Sequence, residues 1–199
     1  MTAPNTNCLI IVSGLPRSGT SLAMQMLKMG GIPALDDGIR QADRHNPRGY
    51  FEHAAPGSLL ASENFQTRLI GSAIKITFPE ILNVRFFVPT RIVFLCRDLR
   101  ETLCSQKRML EIADEPSPAD FDFWSQLIQT GLAYLCSGGD RIRLFKLPHR
   151  MIIENPATAS TQLSIFLDGT PNPAAMTSAV DSQLYRTRIS NLRSDSQNL

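Results

Sequence analysis

The chain has no apolar run approaching about 18 residues, so no membrane-spanning helix is expected. Met1–Asn7 carries no basic cluster, and the apolar run after it has the length of a strand, so no cleaved leader is expected either. The four cysteines, Cys8, Cys96, Cys104 and Cys136, form no C-x-x-C pair and show no metal-ligand spacing. Cys8, Cys96 and Cys136 lie in apolar runs, where cysteine serves as a small core residue, so a reducing compartment and a cytoplasmic location are expected, with no metal site. The net charge is only +2, which gives no reason to expect nucleic acid or an anionic membrane as partner; a basic site has to be made by focusing a few cations in one place. No internal repeat and no linker divides the chain. With 43% hydrophobic residues, residues 1–190 are expected to fold as one domain with a sizeable core, and the polar residues 191–199 to form a tail.

What is present begins at Leu9–Leu27, reading LIIVSGLPRSGTSLAMQML. The run Leu9–Val12 reads as a strand buried on both faces of a parallel sheet. A turn with Gly14 and Gly19 follows, and Thr20–Leu27 reads as a helix with Leu22, Ala23, Met26 and Leu27 on its apolar stripe. A strand, a glycine turn and a helix N-terminus together form an anion site, because the first N–H groups of the helix have no internal acceptors and the helix dipole is positive there. The spacing Gly14 to Gly19 is that of G-x4-G-K-[ST], but Thr20 occupies the lysine position and the cation sits earlier, at Arg17. Nucleoside triphosphate hydrolysis is therefore disfavoured. A strand–helix junction without a ligand is the plainer reading of the same residues.

Further along, Gly30-Gly31 ends the first helix, and Ile32–Leu35 reads as extended. The stretch Asp36–Gly49, with its three Arg, three Asp and one His, reads as a surface connection. Asn46-Pro47-Arg48-Gly49 marks a turn, after which Tyr50 and Phe51 anchor the chain beside Glu52. A carboxylate next to aromatic side chains is expected to have a raised pKa, which suits a general base, although Glu52 reads also as a surface or capping residue. Ser58–Leu69 reads as a helix, and Ala73–Thr77 as a short strand carrying Lys75, which reads also as a lysine reaching solvent from a strand end. Arg91–Arg97 is a second buried strand, followed by a helix over Asp98–Ile112. Arg97 leaves the strand's carboxyl end, and Ser105 lies eight residues later, two turns into the helix, with Arg108 nearby. An arginine fork and a hydroxyl suit a phosphate dianion, and an exposed Arg and Ser is the plainer alternative. Ser117-Pro118 starts a helix that runs to about Cys136, with Trp124, Ile128, Gly131, Leu132 and Leu135 as its core stripe. Arg141–Leu147 reads as an edge strand. Asn155-Pro156 caps a helix to Leu167, and Ala174–Val180 reads as a short helix. His149 reads as a surface residue. Strands alternating with helices predict a three-layer α/β fold with a mostly parallel sheet flanked by helices.

Pro16-Arg17-Ser18-Gly19-Thr20-Ser21 resembles the 5′-phosphosulfate loop of the sulfotransferases, which use 3′-phosphoadenosine 5′-phosphosulfate (PAPS). Arg97 and Ser105 resemble that family's 3′-phosphate motif, with Leu99 where a proline is frequent. Asn46–Glu52 and Asp181–Arg188 are similar to segments of a bacterial sulfotransferase-like group. Lys75-Ile76-Thr77-Phe78-Pro79 resembles a K-x-H-x-P segment in which Thr77 replaces the histidine that serves as base. The resemblance implies the sulfotransferase branch of the P-loop NTPase-like fold. It implies sulfuryl transfer from PAPS, leaving adenosine 3′,5′-bisphosphate (PAP), to a hydroxyl or amine of a small-molecule or glycan acceptor. It assigns Arg17, Ser18, Gly19, Thr20 and Ser21 to the 5′-phosphosulfate, and Arg97 and Ser105 to the 3′-phosphate. Arg17 and Lys75 would stabilise the leaving oxygen, and Glu52 would act as base. Arg186 or Arg188 could close over the nucleotide, or belong to a basic tail. A small-molecule or nucleotide kinase and a catalytically silent nucleotide-binding protein are the alternatives.

Overall fold

In a computed structural model of the chain, which describes residues 6–43, 46 and 48–181, four strands form one all-parallel sheet. They are β1 (Leu9–Ser13), β2 (Ala73–Lys75), β3 (Thr90–Cys96) and β4 (Ile142–Pro148), in the order β2-β1-β3-β4. Leu9, Ile10, Ile11 and Val12 are fully buried because β1 is interior and covered on both faces. Each of these side chains contributes about 1.5–3 kcal/mol of hydrophobic stabilisation.

Alternation along the strands divides the core in two. Ile10, Val12, Val93 and Leu95 face one side, packed with Ala23 and Leu27 of α1 (Thr20–Met29). Ile152 of α6 (His149–Glu154), Leu163 of α7 (Pro156–Phe166) and Met176 of α8 (Pro173–Ser178) complete that layer. Leu9, Ile11, Ile92 and Phe94 face the other side, packed with Leu132 and Leu135 of α5 (Pro118–Cys136) and with Leu60, Leu69 and Phe78. Two helical layers therefore enclose one sheet, as the alternation of elements predicts, and β4 lies at the edge.

Several elements differ from the sequence reading. The helix expected over Ser58–Leu69 is two short ones, α2 (Pro56–Leu59) and α3 (Glu63–Arg68), because Ser62 takes an extended conformation between them. β2 stops at Lys75, yet the amides of Ile76 and Phe78 still donate to the carbonyls of Val12 and Gly14, at 3.0 and 2.9 Å. That contact carries Thr77 along the end of β1. Pro156 starts α7, but no side chain caps it, and α6 precedes it. Cys136 is exposed rather than in the core, since it ends α5 beyond the sheet; Cys8 is buried as expected. Within the stripe of α5, Gly131, Leu132 and Leu135 are buried and Trp124 is only half-buried.

The N-terminus of α5 is a reciprocal capping box. Ser117 Oγ accepts from the Asp120 amide at 3.2 Å, and the Asp120 carboxylate accepts from the Ser117 amide at 2.8 Å. Ser117→Ala should cost about 1 kcal/mol, seen as a lower denaturant midpoint at unchanged slope.

One feature of the topology positions the site. The helix after β1 covers the first face of the sheet. The chain after β3 passes through α4 (Leu99–Met109) to α5, which covers the second. Adjacent strands whose connections depart to opposite faces leave a crevice at their carboxyl ends, where open parallel sheets bind ligands. No helix of the described residues is long and apolar enough to cross a membrane.

Candidate functional site

The crevice is a cleft enclosing about 180 Å³, lined by Arg17, Thr20, Lys75, Thr77, Arg97 and His149 among others. That space suits an anionic group and its immediate substituents, with the rest of a larger ligand along the open mouth.

Its floor is the turn between β1 and α1. Gly14 and Gly19 both have positive φ, of 146° and 103°. Arg17 does too, at 74°, a conformation that costs a non-glycine residue of order 1 kcal/mol and that collects at ligand sites. The N-terminus of α1 has no side-chain cap, and Gly19, Thr20, Ser21 and Leu22 line the cleft, which puts the positive end of the helix dipole there. The donors of the turn are not all directed alike. Ser18 is buried beneath the turn, where a Cβ on Gly14 would lie 2.6 Å from its Oγ, and its amide donates to the Leu15 carbonyl at 3.0 Å. Ser21 lines the cleft, but its hydroxyl donates to the Tyr50 carbonyl at 3.2 Å. Of the residues expected to form the cradle, Arg17, Gly19, Thr20 and Ser21 line the cleft and Ser18 does not.

The segment after β3 reaches the same turn. Arg97 Nη1 donates to the Arg17 carbonyl at 3.0 Å, and Arg97 Nε to Glu101 at 3.0 Å, with both partners of that ion pair at least nine-tenths buried. Arg17 Nε donates to Ser105 Oγ at 3.2 Å, and Gln106 Nε2 to the Pro16 carbonyl at 2.7 Å. Two segments separated by about eighty residues of sequence are therefore fastened together around Arg17. Burial pulls the Arg17 guanidinium below its ordinary value and nearby Arg97 adds to this, but an arginine remains cationic. Arg108 is exposed and does not line the cleft.

On the β2 side, Lys75 is buried and its Nζ donates to Glu52 at 2.9 Å and to the Tyr50 carbonyl. Glu52 also accepts from Arg40 at 2.8 Å, and the Arg40 guanidinium stacks 3.6 Å above the Tyr50 ring. Tyr50 and Phe51 are buried anchors, as expected. The expected rise in the Glu52 pKa is not found. Burial alone would raise it, but hydrogen bonds from Lys75 and Arg40 outweigh burial and hold the carboxyl below its usual range. Burial likewise lowers the Lys75 ammonium, and Glu52 opposes the shift. The sequence signal for Glu52 was its aromatic neighbours; the two cations that decide its state come from distant segments.

The lining charges are Arg17, Arg40, Lys75 and Arg97 against Glu52 and Asp181, an excess of two positive charges. A chain of small net charge thus gathers cations along this cleft, with Arg97 paired to Glu101 just behind it.

Comparison with known protein families and with curated proteins finds no match to the chain.

His149 is the residue that sequence reasoning missed. It is buried, not on the surface, and lines the cleft beside the turn. A Cβ on Gly19 would lie 2.5 Å from its Cδ2, so the ring fills the space that only glycine leaves open. Burial, reinforced by Arg97 and opposed by Glu101, lowers its pKa to about 4, so the imidazole is neutral at pH 7. The available signal was its place directly after a strand's carboxyl end. Gly19→Ala combines that collision with an unfavourable φ and should cost about 1–3 kcal/mol, measured by denaturant unfolding. Arg186 and Arg188 lie outside the described residues.

Proposed function

We propose that this chain is a PAPS-dependent sulfotransferase of the P-loop-like fold, moving a sulfuryl group to a hydroxyl or amine of a small-molecule or glycan acceptor. The observation that carries the reading is the meeting of the two segments that resemble the family's phosphate motifs at one uncapped helix N-terminus, with Arg17 bonded to Ser105 and Arg97 to the Arg17 carbonyl. The donor set fits the group: an excess of cations, helix amides and no lysine at the position a triphosphate hydrolase needs. Bound PAPS supplies an activated sulfuryl group whose transfer breaks the bond between sulfur and the bridging phosphate oxygen.

The chain's own residues would act as follows. The α1 amides, Thr20 and Arg17 hold the 5′-phosphosulfate. Lys75 and Arg17 offer fixed positive charge to the bridging oxygen as it gains charge, with no reorganisation at that moment. Glu52 takes the proton from the acceptor oxygen or nitrogen as the bond to sulfur forms. To do so, Glu52 must be released by Lys75, which happens as the ammonium turns toward the arriving anion. Arg97 steadies the turn and the nucleotide end.

A second reading has its own support. Glu52 is held by two cations and Thr77 stands at the position of the family's histidine, which fits a protein that binds adenosine 3′,5′-bisphosphate without turnover. Transfer of radiolabelled sulfate from PAPS across panels of hydroxyl and amine acceptors separates the two. Labelled product supports the enzyme; tight bisphosphate binding with no product from any acceptor class supports the silent protein. No binding of either nucleotide defeats both.

A further inference from the structure

The sheet register places His149 and Arg97 side by side. Cys96 at the end of β3 pairs with Pro148 at the end of β4, so the next residue on each strand leaves the sheet at the same level. Arg97 then grips the Arg17 carbonyl, and His149 packs on Gly19, so the two hold the turn at points two residues apart. Lys75 ends β2, on the other side of β1, and holds Glu52 there. The cleft therefore has two ends with different chemistry. The β2 end holds the Lys75–Glu52 pair, and the β3–β4 end holds Arg97 and His149.

At that second end, donors for a phosphate are partly spent. Arg97 already donates to Glu101 and to the Arg17 carbonyl, while Ser105 Oγ, which accepts from Arg17, keeps its O–H to donate. We propose that His149 binds the second phosphate of the nucleotide donor together with Arg97, and is the group by which the protein recognises a 3′-phosphate. This rests on the sulfotransferase reading. A neutral imidazole offers one N–H to an incoming phosphate. Among the described residues, Arg97 and Glu101 from the β3–α4 junction act on the ring's charge, and the turn that carries Arg17 packs against it at Gly19. Burial first, and Arg97 second, keep the ring neutral, with Glu101 opposing them. A phosphate dianion within hydrogen-bond reach reverses that balance and favours the imidazolium, which adds a second charged donor. Binding of the bisphosphate then takes up a proton, and affinity rises as pH falls toward the ordinary histidine range.

The chain has only three histidines, so the His149 ring is assignable by NMR in the full protein. With adenosine 3′,5′-bisphosphate, its Cε1–H resonance should move to the protonated position near pH 6; with adenosine 5′-phosphate it should not. By calorimetry, His149→Asn should raise the Kd for the bisphosphate about tenfold more than it raises that for the monophosphate. A ring resonance that responds alike to both ligands, or a variant that weakens both alike or neither, overturns the role of His149. If the unaltered protein prefers the bisphosphate while His149 stays silent, only this inference falls. If it binds neither nucleotide, or both equally, the sulfotransferase reading falls with it. The NMR arm uses the unaltered chain, so a variant that fails to fold does not spare the proposal.

Discussion

In the proposed sulfuryl transfer, Arg17→Ala should lower the rate by about 10²–10³-fold, the effect of removing one preorganised charged donor from a developing oxyanion. The side chain sits where three things coincide. Its backbone holds φ 74° in the turn, its Nε is fixed by Ser105 at 3.2 Å, and its carbonyl is held by Arg97. A guanidinium locked in this way pays little entropy when the anion arrives, so its loss falls on the transition state as well as on binding. Arg17→Lys keeps the charge but loses the Nε bond and the planar fork, and should recover only part of the activity. Ser105→Ala tests the same point from the opposite partner, leaving the charge and freeing its position. The measurement is kcat and KM for PAPS with each variant, alongside thermal melting to show that the fold persists. Transfer near the original rate in Arg17→Ala removes the site from this cleft.

Lys75→Met should produce the second large effect, a fall of about 10²-fold in kcat with a smaller change in KM. Lys75 is buried with 3% of its side chain exposed, so methionine of similar length fills its space and the fold should survive. Two consequences can be read separately. In the proposed reaction the bridging oxygen loses its lysine, which should lower the rate at every pH. Glu52 keeps only Arg40, so its carboxyl rises toward the ordinary range, and the acid limb of the pH–rate profile should move to higher pH. Stability follows the same group with a definite sign. A carboxyl whose folded pKa is depressed contributes stability above its unfolded pKa and loses it as pH falls through the folded value. The variant should therefore show a weaker dependence of unfolding free energy on pH below about 4.5, the range in which a free glutamate titrates. An unchanged pH–rate profile would mean that Glu52 takes no proton in the rate-limiting step.

Much of the fold was legible in advance because the signals are local. Leu9–Val12 is apolar without interruption, which requires cover on both faces, and the structure buries all four side chains completely. Ser117, Pro118 and Asp120 encode a helix start within a single turn of chain, and the capping box is there. The departures occur where a neighbour outside the local window decides. Cys136 sits in an apolar run, but the end of α5 projects past the sheet. Glu52 follows two aromatic residues, yet Lys75 and Arg40 outweigh them.

The candidate site divides in the same way. Residue order alone established a strand, a glycine turn and a helix N-terminus bearing Arg17, together with a second strand end bearing Arg97, because backbone conformation and the chemistry of a single side chain are short-range properties. Strand order and register decided the rest: that Arg97 and Ser105 fasten the Arg17 turn, that Lys75 is paired to Glu52, and that His149 lies against Gly19. These contacts join residues twenty to more than a hundred positions apart. A chain can bring them together only by closing loops around a common sheet, and no window of sequence short enough to read by pattern contains both partners.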